Sequence, residues 1–90
     1  MSGEALVAVP SLEAVQAIVM RYADAPPADA GPDTSLTEEG FALDSINLLR
    51  AIIECEERFQ VTFDPETDFT DQTLSTVRTL FHLVRSKRTG

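Results

Sequence analysis

Four features of the chain carry side chains whose chemistry goes beyond packing: the dipeptide Asp44-Ser45, the acids Asp64, Glu66 and Asp68, the lone cysteine Cys55 and the lone histidine His82. A hydrolytic serine needs a glycine-framed turn and a base to take its proton. Ser45 sits in LDSIN with no glycine beside it, and His82 lies far along the chain between apolar positions, where a surface or rim role is expected. Asp64, Glu66 and Asp68 imitate the first ligand positions of a calcium loop. Phe69 then stands where the turn needs glycine, and Ser75 where a bidentate glutamate is needed. No metal site is expected there, only an acidic capped turn. Cys55 reads as a buried structural thiol, and one cysteine permits neither an internal disulfide nor a cysteine-based zinc site.

Asp44-Ser45 has a different use. Aspartate is a good helix N-cap, so Ser45 falls in the first turn of the helix that follows. A hydroxyl there lies beside backbone N–H groups with no intrahelical partner and at the positive end of the helix dipole. That is a seat for a phosphate. Ser45 therefore reads as the acceptor of a phosphate-linked group, and the enzyme that attaches the group supplies the base.

The elements that position this serine follow from hydrophobic spacing. Ser11 caps a first helix over about Ser11–Asp24, with Leu12, Val15, Ile18, Val19 and Tyr22 at helical intervals. The stretch ADAPPADAGPDTS cannot continue it and opens a long loop reaching about Leu43, with Leu36 and Phe41 as its anchors to the core. A second helix spans Ser45 to about Phe59. Leu49, Ile52, Cys55 and Phe59 trace one face, while Ile46 and Ile53 lie on another. Gln60–Phe63 is an extended connector with Val61 and Phe63 turned inward, since no second strand exists to pair with it. Asp64-Pro65 can start one short helix, and Val77, Leu80, Phe81 and Val84 mark a last helix over about Ser75–Arg85. The expected fold is all-α: a small four-helix bundle of three main helices and one short one, with a long loop between helices one and two. Residues 1–10 read as a flexible leader, 11–86 as the domain and 87–90 as a frayed tail.

A chain of 90 residues makes one small domain with a thin core. Its formal net charge is -8, and twelve of its fifteen acids lie between Asp29 and Asp71, with only Arg50 and Arg58 among them. An acidic middle keeps the protein soluble, repels nucleic acid and anionic membrane, and steers toward basic protein patches. No apolar run is long enough to span a bilayer. Residues 1–9 hold Glu4, no Lys or Arg, and too short an apolar run for a secretory signal. A cytoplasmic monomer is expected.

From Leu12 to Val84 the chain resembles the acyl carrier protein family of phosphopantetheine-binding domains. Asp44-Ser45-Ile46 matches the attachment motif, IIECEERF the apolar helix ending in acids and an aromatic, and Thr76-Val77 the pair that starts the last helix. The resemblance implies that Ser45 carries a 4'-phosphopantetheine arm, added from coenzyme A by a phosphopantetheinyl transferase that engages Asp44. The arm's thiol would hold acyl or aminoacyl groups as thioesters, and the protein itself would catalyse nothing. It implies docking of loading enzymes, synthases and transferases on the second helix. Ile46, Leu48 and Ile53 are the apolar docking candidates, Glu54 and Glu57 the acidic ones, and Asn47 and Arg50 complete the set. The chain departs from the family at Asn47 and Arg50, where many fatty-acid carriers have acids. It departs again before the motif, where EGFALDS replaces the usual Leu-Gly pair, and in its longer connector. These departures favour a free-standing carrier of polyketide or nonribosomal peptide type over a fatty-acid carrier. The rival reading is an arm-free acidic helical module that only binds proteins.

Overall fold

The computed structural model of the chain describes residues 9–37 and 40–87. They form three helices in the order α1 (Leu12–Tyr22), α2 (Ser45–Phe59) and α3 (Val77–Lys87), each packed against the other two. There is no strand among the described residues, only an isolated antiparallel bridge between Ser35 and Thr76. The fold is all-α. The leader expected over residues 1–10 lies outside the described residues except at Val9 and Pro10, and so does the tail beyond Lys87.

Capping chemistry sets the helix ends. Ser11 accepts from the Ala14 N–H at 3.1 Å and starts α1. The helix stops at Tyr22, two residues short of the expected end, and Ala23 is already extended. Pro26 explains the early stop, because its ring would strike the carbonyl four residues back, which belongs to Tyr22. Asp44 caps α2, which ends at Phe59 as expected. Gln60 takes a left-handed conformation (φ 56°) and donates its N–H to the Glu56 carbonyl. At the start of α3, Thr76 and Thr79 exchange backbone N–H and hydroxyl bonds at 2.9 and 3.2 Å, a capping box built from two threonines. This box places the start at Val77. The helix continues to Lys87, past the expected end, and the Lys87 ammonium reaches the Asp68 carboxylate at 2.8 Å.

The short helix expected after Asp64-Pro65 is replaced by hydrogen-bonded turns. One helical bond forms from Asp68 N–H to Asp64 C=O at 2.8 Å and another from Leu74 to Thr70 at 3.0 Å. Between them side chains satisfy the backbone. Asp64 accepts from Glu66, Asp68 from Asp64, and Thr70 and Thr73 bond each other's N–H groups. Short polar side chains that capture the local backbone compete with helix extension.

The core contains Val15, Ile18 and Val19 from α1, Ala51, Ile52, Cys55 and Phe59 from α2, and Val77, Leu80, Leu83 and Val84 from α3. The loops add Leu36, Phe41, Leu43, Val61 and Phe63, so the anchors Leu36 and Phe41 and the inward Val61 and Phe63 stand where their spacing puts them. Leu49 does not reach the core and is half exposed. Leu48 and Ala51 fill the side of α2 that faces inward.

The long α1–α2 loop is tied to the start of α3. Leu36 N–H donates to Ser75 C=O at 2.8 Å, Arg78 N–H donates to Pro32 C=O at 2.8 Å, and the Arg78 guanidinium grips both oxygens of Asp33. That guanidinium, hydrogen-bonded to Asp33, holds the Asp33 carboxyl below the usual carboxylate range. The loop then folds on itself, with Phe41 N–H bonding Ser35 C=O and Leu43 N–H bonding Leu36 C=O. Gly40 stands so close to the Ser35 carbonyl that no Cβ fits there.

Two stability predictions follow from this packing. Leu80→Ala, at a fully buried position, is expected to cost about 2–5 kcal/mol in urea unfolding. Ala42 holds φ 55°, a left-handed conformation that costs a non-glycine residue about 1–2 kcal/mol. Ala42→Gly is therefore expected to raise stability by about 0.5–1 kcal/mol after the chain-entropy cost of glycine. A lower denaturation midpoint for that variant would refute the strain.

Candidate functional site

Two residues before the exposed serine the chain is still in the core. Phe41 and Leu43 are buried, and Asp44, Ser45 and Ile46 are exposed. Leu43 and Leu48 occupy the two positions of a hydrophobic staple, the first buried and the second half-buried against the core. They fix the angle at which α2 begins. Asp44 is extended (φ -78°, ψ 176°), and its Oδ1 accepts from the Asn47 N–H at 2.7 Å. Its carbonyl takes the Leu48 N–H at 2.8 Å. The N–H groups of Ser45 and Ile46 have no acceptor among the described residues. The start of α2 thus presents an exposed hydroxyl, two free backbone donors and the positive end of a fifteen-residue helix.

No base reaches Ser45 among the described residues, and His82 is exposed on α3. There is no grouping of three or more His, Cys, Asp or Glu side chains able to hold a metal among the described residues. Cys55 is fully buried, and burial pushes its thiol up to about 12, which makes it inert as a nucleophile at neutral pH. Ser45 is an exposed hydroxyl at the start of α2, with no hydrogen-bond partner for its side chain among the described residues.

The residue-level expectations for α2 separate into an outward set and a held set. Ile46, Arg50, Ile53 and Glu57 point outward, Ile46 being 63% and Ile53 42% exposed. Asn47 and Leu48 are half-buried. Leu49, absent from the sequence-based set, joins the outward face at 50% exposed. Its i+3 relation to Ile46 is the signal that points to it. Glu54 is held. Its carboxylate takes Arg21 at 2.6 Å, Arg58 at 3.2 Å and the Tyr22 hydroxyl at 2.6 Å, and its side chain is only 14% exposed. Glu54 therefore joins α1 to α2. Glu56, one turn before the end of α2, accepts the Phe63 N–H at 2.9 Å and ties down the connector. A groove runs beside the helix start, lined by Ser35, Thr37, Leu48, Phe69, Leu74 and Ser75.

The family model described as "phosphopantetheine attachment site" matches residues 13–83 of this chain. The chain belongs to that family. No curated protein and no solved structure matches it. A domain of this family is a site of covalent 4'-phosphopantetheine attachment, as in acyl carrier proteins. The start of α2 fits such a group, because a phosphodiester on the Ser45 hydroxyl would lie beside the two unbonded N–H groups. No helix among the described residues is long and apolar enough to cross a membrane.

Tyr22 gives a direct check on the Glu54 junction. Its hydroxyl donates to the Glu54 carboxylate, and that bond holds the phenol above the ordinary 10.0. A raised pKa means that the bond's contribution to stability is present below the ordinary value and is lost as pH climbs through the raised one. Tyr22 is the only tyrosine, so its absorbance titration is unambiguous. The midpoint is expected above 10 in the native protein and lower in Glu54→Gln. Identical midpoints in both proteins would remove the bond.

Proposed function

We propose that Ser45 is the attachment residue and that the protein is a carrier of acyl or aminoacyl intermediates for biosynthetic enzymes. The observation that carries this reading is an exposed serine in the first turn of α2, beside two N–H groups with no acceptor and with no base bonded to it among the described residues, inside a chain matched by the phosphopantetheine attachment family. In the modification step the Ser45 oxygen forms a bond to the pantetheine-linked phosphorus of coenzyme A. The 3',5'-adenosine bisphosphate leaves, and the transferase takes the serine proton. The arm, once bound, supplies a thiol that holds cargo as a thioester. The chain's own residues fix where that arm starts: Leu43 and Leu48 set the helix, Asp44 caps it and offers its outer carboxylate face to the transferase, and the free N–H groups stabilise the phosphate. The protein itself catalyses no reaction.

The outward residues of α2, namely Ile46, Leu49, Arg50, Ile53 and Glu57, form the surface offered to partner enzymes, with the half-buried Asn47 and Leu48 at its edge and Glu54 bracing it from below. Asn47 and Arg50 in place of acids, together with the long turn-rich connector 60–76, favour a free-standing carrier of polyketide or nonribosomal peptide type, working as a cytoplasmic monomer. The groove beside α2 mixes hydroxyls and the Asp71 carboxylate with Leu48, Phe69 and Leu74, a lining with acceptors for the amide N–H groups of the arm.

Intact mass after incubation with coenzyme A and a broad-specificity phosphopantetheinyl transferase tests the assignment. The wild type is expected to gain one phosphopantetheinyl group and Ser45→Ala none. Gain on Ser45→Ala would move the site. No gain on a folded wild-type protein would favour the arm-free interaction module.

A further inference from the structure

The chain is strongly acidic, yet the outward face of α2 is not. Ile46, Leu49 and Ile53 are 63%, 50% and 42% exposed and share one side of the helix. Three large aliphatic side chains left in water on one helical stripe form a patch that a partner can cover. Arg50 stands among them, exposed and without a hydrogen bond or ion pair among the described residues. Lower on the same side, Arg50 meets Arg21, Arg58, Glu54 and Glu57 around one open cleft, with Tyr22 and Ile53. Three of the chain's seven cationic side chains are gathered there against two carboxylates. One of those carboxylates, Glu54, is saturated by Arg21, Arg58 and Tyr22 and is nearly covered. The two arginines that share it remain 59% and 45% exposed, so their outer N–H groups still face solvent. Glu57 is the one acid of the cleft whose carboxylate has no partner among the described residues.

We infer that the Ile46–Leu49–Arg50–Ile53 face docks a partner surface that is apolar at its centre and carries carboxylates opposite Arg50 and the arginine cleft. The complementarity is local. The net charge of -8 sets a long-range field that attracts basic surfaces, but screening confines exposed charges to about 8–10 Å at ordinary salt. At the cleft itself a partner meets three guanidinium groups and two carboxylates, one of them already saturated. A lysine-rich partner would leave Arg50 facing a like charge. The inference deepens the carrier reading, since the patch adjoins Ser45 and an enzyme that acts on cargo there would cover it.

The test uses the unmodified protein, so it does not depend on Ser45. Two synthetic amphipathic helical peptides share one leucine stripe, one flanked by glutamates and the other by lysines. Each is titrated into ¹⁵N-labelled protein, and the amide shifts of residues 46–57 are followed separately from the rest. The glutamate peptide is expected to move these amides and to bind this face about two- to fivefold more tightly than the lysine peptide, the range of one or two exposed charge pairs. Arg50→Glu is expected to reverse that order without changing the far-ultraviolet dichroism. Equal or stronger shifts at residues 46–53 with the lysine peptide, no shift with either peptide, or an order unmoved by Arg50→Glu would overturn the inference. The carrier reading stands or falls separately, on the mass gain at Ser45.

Discussion

The chain must pass from core to solvent within a single residue, and much of the structure serves that passage. Leu43 is buried, Ser45 is exposed, and Asp44 makes the turn between them. A serine with the attachment role proposed for Ser45 has to protrude, but it has to protrude from a fixed point. Asp44 secures the direction by capping α2 at 2.7 Å. Leu43 secures the depth through its burial and through the bond of its N–H to Leu36 C=O at 3.0 Å. Leu36 in turn bonds Ser75 just ahead of α3. The start of α2 is thereby fastened to the start of α3 through a loop that belongs to neither helix. A long loop costs little extra closure entropy, and the bonds at Pro32, Asp33, Ser35 and Leu36 hold it in one shape. Ala42 bears the strain of this route, because its backbone takes the left-handed conformation in the step just before Leu43.

Much of this was legible from residue types. Asp44 with an apolar run behind it marks α2 to the residue at both ends, since the cap and the terminal aromatic are strong local signals. Leu36 and Phe41 stand out as the large apolar residues of a polar loop, and both are buried. The errors have physical causes. Thr76 and Thr79 cap α3 with each other's hydroxyls, a pairing that the usual search for a serine or threonine followed by a glutamate passes over. The segment after Asp64 has a helix-start signal, but its threonines and aspartates spend their side chains on the local backbone. Leu48 and Leu49 are adjacent leucines on a helix with apolar residues around most of its circumference. Periodicity alone does not decide which of them faces the core.

The Glu54 junction was out of reach of the sequence for another reason. Arg58 lies one turn away and is a foreseeable partner. Arg21 and Tyr22 are thirty-three and thirty-two positions distant, and they meet Glu54 only once α1 packs on α2. A run of glutamates on a helix reads as a solvated acidic face until the tertiary neighbours are known. Here the packing turns one of them into a brace between helices and a second, Glu56, into an acceptor for the connector.

This internal use of acids changes what net charge says about recognition. Asp33, Asp44, Glu54, Glu56, Asp64 and Asp68 all accept hydrogen bonds or ion pairs within the fold. A carboxylate whose oxygens are already engaged offers less to an incoming lysine than its formal charge suggests, because a new ion pair must compete with an existing one. On α2 the consequence is sharp. Of its three acids, Glu54 and Glu56 are engaged and Glu57 alone has no side-chain partner among the described residues, where Arg50 beside the exposed aliphatic stripe has none either. The total of -8 governs solubility and long-range approach. The few charges left without internal partners govern which surface is accepted at contact.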